Sequence, residues 1–504
     1  MWRYGAVLLV VCTLVPAAAA ADPVFTHGVA AGYPDHQSAV LWTRVDSAAR
    51  LTVEVSPDPS FAGLLHIRKA EASADTDYTV QAVVNGLRAG TTYWYRWRAG
   101  GATSETGRFE TAPRPDRSVP LRLAWTGDSD GTHLGGVPVF DFSALNAIRD
   151  GSPDVFLYLG DTVYADFRAG GAPGIPPAVT LDEYRALYKE ARSIAPLPAL
   201  LASTGTITIW DDHEVRDDFA GQTVDPVLFA NGRRAFLEYQ PIAAGRFPTE
   251  GCAADPFYRT LHWGKDVDLF VLDERSCRSA EVAAACFGDL APTLPTGLRA
   301  FFGGFLPLAP PPGCVDAIDD PSRTMLGPEQ KRRFLHDLEH SKASWKIVVN
   351  EVAISQNWAL PYDRWEGYGA ERSEVLETIR DRGIRGVVFL TTDEHRNLVS
   401  PVYVDRFGGQ PPVAWEFVTG PIGTATYQQL VLGLFGPVFG PFAVAAQHSL
   451  LSIAGVGCRH LNAFSYGELR IDGGTAEVTL RDATGAVIHD QLNPAIACTK
   501  TLTP

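Results

Sequence analysis

The sequence predicts an α/β fold of βα units preceded by a small all-β domain, and two patterns along the chain carry that expectation. Residues 24 to 111 alternate with period two in short runs, "SAVLWTRV", "LTVEVS", "YTVQAVVNGL", "TTYWYRWRA" and "TGRFETA", punctuated by Gly, Asp and Pro. Such runs are half-buried antiparallel strands, so a fibronectin- or immunoglobulin-like sandwich is expected. From Leu121 onward, continuously apolar runs alternate with helix-period segments such as "LDEYRALYKEA", "PEQKRRFLHDLEHS" and "ERSEVLETIRDRG". Strand and helix in alternation imply a mainly parallel, buried sheet with helices on both faces. The stretch "APRPDRSVP" links the two patterns, which gives expected units at 22–113 and 114–504.

Ahead of both lies "MWRYGAVLLVVCTLVPAAAAADP", with one early cation, an apolar core and a run of small residues. That is the pattern of a secretory signal peptide over 1–21, so a secreted, periplasmic or extracellular location is expected. Beyond it stand six cysteines, Cys252, Cys277, Cys286, Cys314, Cys458 and Cys498. An even number in an exported chain favours disulfides without choosing among the 15 possible connectivities. Four of the six fall between 252 and 314, so local stapling is expected there. No paired CxxC spacing points to a thiolate zinc site. The formal net charge of −15 makes nucleic acids and anionic membranes poor partners and suits a protein that collects cations.

In α/β sheets ligands gather beyond the carboxyl ends of the strands. "LRLAWTG" is followed by Asp128 and Asp130, "DVFLYLG" by Asp161 and Tyr164, and "TITIW" by Asp211, Asp212, His213 and Glu214. "VDLFVL" leads to Asp273 and Arg275, "WKIVV" to Asn350 and Glu351, and "GVVFLTT" to Asp393, Glu394 and His395. Six strands thus deliver oxygen and imidazole donors to one edge. Without a thiolate among them, that set suits hard or borderline cations such as iron(III), manganese, calcium or magnesium. Two cations sharing one carboxylate make a clamp for in-line attack at phosphorus. The Asp161 to Tyr164 spacing sets a bridging carboxylate and a phenolate near one metal. His213, beside Asp212, is placed to protonate a leaving alkoxide, and Arg275 to grip phosphate. Arg278 reads as an ordinary surface ion pair.

The ordered series "GDxxY", "WDDHE", "LDxR", "WKxxxN" and "DxH", together with the opening "FTHGVAAGYPDHQSAVLWTRV", resembles the alkaline phosphatase D (PhoD-like) family within the calcineurin-like metallophosphatases. The resemblance implies a metallophosphatase β-sandwich with flanking helices, acting on small phosphate monoesters or diesters, with iron and calcium among two or more metal ions. It also implies that Asp161 bridges the metals, that Tyr164 and His395 bind the iron-like site, and that Asp212, Asn350 and Asp393 serve the second. The chain departs from the family where Asp128 stands in place of a cysteine ligand and where Cys277 replaces the Tyr of "LDxRxYR".

Two apolar stretches fall outside this scheme, "GLRAFFGGFLPLAPPPG" at 297–313 and a run without Asp, Glu, Lys or Arg from 417 to 458. The second is long enough to suggest a membrane span, but Pro437, Pro441 and several glycines interrupt it. Inserted helices over the pocket or sheet are expected, with membrane contact as a lesser reading. A phospholipase D-like phosphodiesterase acting on lipids, and a non-catalytic surface protein with structural metals, are the rival functions.

Overall fold

The computed structural model describes residues 22–63, 66–243, 257–302 and 306–504. The expected signal peptide, Cys252 and part of the apolar stretch at 297–313 fall outside those residues. Two large mixed sheets dominate the fold. The first has nine strands in the order Thr499–Leu502, Thr475–Asp482, Ser465–Asp472, Leu121–Thr126, Val155–Leu159, Gly205–Ile209, Phe25–Gly32, Ser38–Val45 and Thr79–Asn85. The second has seven: Arg259–Trp263, Val267–Val271, Trp345–Val349, Val387–Thr391, Ala414–Val418, Asn397–Val402 and Cys458–His460. Each has parallel strands at its centre and antiparallel strands toward its edges.

The sheets lie face to face, which corrects the single parallel sheet expected from the alternation of strand and helix and agrees with the β-sandwich with flanking helices that the family resemblance implies. Leu269, Ile347 and Val349 join one core with Leu123, Val155 and Ile207 of the first sheet. Phe270, Val348 and Phe389 point the other way, into a second core with the helices Pro328–His340 and Gly369–Asp381. A strand apolar on both faces reads the same whether its second face meets a helix or another sheet. The stacking is therefore invisible to periodicity.

The expected alternation near the N-terminus is present, with Tyr93, Tyr95, Trp97 and Ala99 the buried positions of Thr92–Ala99. They pack onto Val29, Ala31 and Leu41. Phe25–Gly32 also runs parallel beside Gly205–Ile209, with Ala31 opposite Gly205. One layer of this region thereby continues the first large sheet.

Two disulfides close loops, Cys286 to Cys314 and Cys458 to Cys498. The first is a staple of the kind expected within 252–314. Among the described residues one helix, Tyr427–Ala454, is long and apolar enough to cross a membrane by length and composition. It is broken at Gly436, whose φ of 68° and ψ of −179° are not helical. Pro437 follows and has no backbone N–H to continue the ladder. A Cβ on Gly440 would sit 2.9 Å from Leu432 Cδ2, so the second half folds back on the first as a hairpin.

Candidate metal centre

Six parallel strands, three from each sheet, end at one rim, and there the chain turns through left-handed backbone. Asp128, Asp161, Asp393 and His395 have φ of 57°, 47°, 64° and 51°. A non-glycine residue pays on the order of 1–3 kcal/mol for that conformation, and such positions cluster where side chains must be aimed for chemistry. Two glycines make room for the carboxylates. Gly160, with φ 70°, lies against Asp211, and a Cβ on Gly420 would collide with Asp128 Oδ2.

Asp128, Asp161 and His395 offer donor atoms within 4.8 Å of one another, and so do Asp161, Asp212 and His213. Asp211, Asp212 and Asp393 form a third such group. Asp161 is common to the first two and Asp212 to the last two. Oδ2 of Asp128 and Oδ2 of Asp211 are buried without any hydrogen-bond donor. Such oxygens are costly unless a cation takes them up. Burial, reinforced by neighbouring carboxylates, pushes Asp128, Asp161 and Asp393 well above the ordinary carboxylate range. Asp211 rises to about 7, although Arg275 opposes the shift. The donor set fits metal ions.

The imidazole of His395 fits as well. Its Nδ1 lies 2.7 Å from the Ala425 carbonyl, which fixes the tautomer and leaves the Nε2 lone pair for the carboxylate side. Burial lowers its pKa to about 4, so the ring is neutral at neutral pH. Tyr164 OH is 3.2 Å from that Nε2. Burial, then the charge of Asp161, holds the phenol well above its usual pKa, so only a strong cation would ionise it.

His213 stacks on Tyr164 with ring centroids 4.3 Å apart, and its Nδ1 is 2.6 Å from Asp166 Oδ1. Burial opposes its protonation, yet Asp161, Asp212 and Asp166 together raise its pKa well above that of an ordinary histidine. Arg275 is fully buried and multiply paired. Its Nε donates to Asp211, and its two terminal nitrogens reach Asp363 at 2.7 and 2.9 Å. Nη2 also lies 3.5 Å from Asp393. Arg278, expected at the surface, is instead buried and donates to Asp363 and the Tyr368 hydroxyl. Asn350 is buried at its strand end, donating to Thr391 Oγ1 at 3.2 Å and accepting from Trp365 Nε1 at 3.3 Å. Asp130 closes a turn onto Thr132 N at 3.0 Å.

Three further carboxylates hold this centre together, and of them only Glu214 stands among the donors that the sequence places at a strand end. Asp166 orients His213, and Glu214 ties two loops together by accepting from Thr162 N at 2.7 Å and Asp211 N at 2.9 Å. Both sit beside the strand ends that carry the donors, and that spacing is the one signal they offer. Asp363 clamps both arginines from the far end of the loop that leaves Trp345–Val349, well beyond the strand's carboxyl end, so no pattern marks it.

The raised carboxylates fix a sign for pH dependence. The folded, metal-stripped protein holds more protons than the unfolded chain between about pH 4 and about 7. Its stability is therefore fullest at the acid end and is lost as pH rises through the folded pKa values. The depressed pKa values of His395 and His27, each about 4, work oppositely up to the ordinary histidine value, but they are two groups against the four carboxylates. The unfolding midpoint of chelator-treated protein should fall from about pH 5 to about pH 7, and added divalent metal should restore it. A midpoint that rises over that range without metal would refute the assignment.

The fold and this acidic–histidine rim have counterparts among known proteins. Residues 135–480 match the PhoD-like phosphatase family and residues 12–113 match the PhoD-like phosphatase N-terminal domain. The chain belongs to the PhoD-like phosphatase family. It is 27% identical over 420 residues to alkaline phosphatase D of Bacillus subtilis (strain 168), an alignment covering 76% of this chain and 66% of that protein. Among solved structures, that of PhoD superposes with a TM-score of 0.75 at 21% identity, covering 95% of this chain and 90% of the other. The purple acid phosphatase PPD1 of yellow lupin gives a TM-score of 0.56 at 11% identity, over 95% and 74% of the respective chains. Both likenesses are of fold.

Proposed function

We propose that the protein is an exported, metal-dependent hydrolase of phosphate monoesters or diesters. The observation that carries this reading is Asp161, whose buried carboxylate belongs to two donor groups at once, one with Asp128 and His395 and the other with Asp212 and His213. Asp128, Asp161, Tyr164 and His395 would hold one ion, and Asp161, Asp212, Asp393 and Asn350 the second. Bound there, such ions supply an activated water and neutralise charge on the phosphoryl oxygens.

The chain's own residues account for the rest. Water oxygen bonds to phosphorus as the ester P–O bond breaks, the departing alkoxide takes a proton from Nε2 of His213, and the proton that the water gives up restores the ring to its charged form. Asp166 holds Nδ1 of that ring and stabilises its charged form. Arg275 acts through its clamp. By holding Asp211 and Asp363 and lying 3.5 Å from Asp393, its guanidinium positions the Asp393 ligand and offsets the charge of all three carboxylates. Two disulfides support export, since such bonds persist in oxidising compartments.

The test combines elemental analysis with hydrolysis of p-nitrophenyl phosphate and bis-p-nitrophenyl phosphate before and after chelation. Two metal equivalents and chelation-sensitive turnover are expected. If iron(III) sits on Tyr164, the protein absorbs in the visible and Tyr164→Phe bleaches it. Full activity without metal would refute the proposal, and colourless, iron-free, active protein would remove iron from it.

A further inference from the structure

The hairpin Tyr427–Ala454 walls a cavity of about 930 Å³ together with Phe140, Phe167, Phe302, Leu306 and Leu360. That is near the upper end of the roughly 300–1,000 Å³ range of small-molecule sites. Its lining is almost wholly apolar, and no Asp, Glu, Lys or Arg occurs between Phe417 and Cys458. The cavity adjoins the metal centre through covalent neighbours. Phe167, on its wall, follows Asp166, the partner of His213, and the Phe167 and His213 rings lie 6.3 Å apart. Ala425, also on its wall, supplies the carbonyl that orients His395, and Tyr427 N donates to the His395 carbonyl at 2.8 Å. A ligand with its phosphoryl group at the rim would therefore extend into hydrocarbon.

The outer side of the hairpin is equally apolar and faces solvent. Val438, Phe439 and Phe442 are 67%, 60% and 63% exposed beside the Gly436 bend. Large apolar side chains gathered at one tip mark a surface that leaves water in function. With no cation on the segment and a net charge of −15, that tip is unsuited to an anionic surface and suits a zwitterionic one. The bend at Gly436 turns the segment back, so its two halves form a hairpin with an apolar tip and not one continuous span.

We propose that the substrate is a phosphate ester of a long-chain lipid taken from a zwitterionic lipid surface, with the hairpin tip seated in the surface and one hydrocarbon chain drawn into the cavity. This rests on the phosphoesterase reading above and names its substrate class. Two measurements test it. In a series of alkyl p-nitrophenyl phosphates below their micelle-forming concentrations, KM should fall about two- to four-fold for each added methylene until the cavity is filled. Ala446→Trp, which fills the cavity from its wall, should flatten that series while leaving the methyl ester's turnover intact. Calorimetry with dodecylphosphonate on metal-stripped protein should show binding that Ala446→Trp abolishes. The full chain should also cosediment with phosphatidylcholine vesicles, less with phosphatidylglycerol, and F439D/F442D should lose the binding while keeping methyl-ester turnover. A chain-length-independent KM, or wild type that ignores phosphatidylcholine vesicles, would overturn the proposal. Failure to hydrolyse both the methyl ester and p-nitrophenyl phosphate would instead strike the phosphoesterase reading, and the dodecylphosphonate and vesicle results would still decide the lipid site.

Discussion

Asp161→Asn is expected to empty both metal positions together and to lower kcat/KM by about 10³-fold or more, because several kcal/mol of charge stabilisation disappear at 1.36 kcal/mol per decade. The substitution is suited to the question. Asn tolerates the left-handed backbone that Asp161 adopts at φ 47°, and its side-chain oxygen can still accept from His213 N, which lies 3.2 Å from Asp161 Oδ1. Fold and local hydrogen bonding should survive while the negative charge is lost. Asp393→Ala, which belongs to one donor group only, should deplete chiefly one ion. Metal content of the purified variants, measured beside turnover, makes the comparison. An Asn variant with both metals and full activity would end the shared-carboxylate scheme.

His213→Ala should keep its metal and lose about 10²- to 10⁴-fold in turnover, the range of a missing acid–base group. The geometry offers two roles for this ring, since His213 shares a donor group with Asp161 and Asp212 yet has Nδ1 held by Asp166 at 2.6 Å. The acid role predicts that an ester with a good leaving group, such as a nitrophenolate, suffers less than an alkyl ester. A ligand role predicts metal loss and equal damage to both. Metal depletion in the variant would therefore reassign His213.

Much of this centre is legible in the amino-acid sequence. The rule that parallel strands present their carboxyl ends to ligands locates Asp128, Asp161, Asp212, Asp393 and His395, and the donor groups contain all five. Asn350 is located at a strand end too, although its amide hydrogen bonds run to Thr391, Val352 and Trp365. Arg278 runs against expectation because its charge alone suggests the surface, whereas two anchors, Asp363 and Tyr368, hold it inside. Asp363 carries no signal, being set by a loop whose course depends on what it packs against.

Residue order alone dictates the strands, their ends near the rim and the donor types at each carboxyl end, because those are local properties of backbone period and side-chain chemistry. It likewise dictates that the segment from 417 to 458 is apolar and is interrupted by Pro437, Pro441 and several glycines, whereas the structure locates the break at Gly436. That three strands from each of two stacked sheets meet at one rim is settled by packing, because both faces of a buried strand look alike in sequence. Packing also makes Asp161 common to two donor groups, commits Arg275 to Asp211 and Asp363, and folds the apolar hairpin back beside the metal centre. Those are distances between residues up to hundreds of positions apart, fixed by which cores close together and by no local propensity.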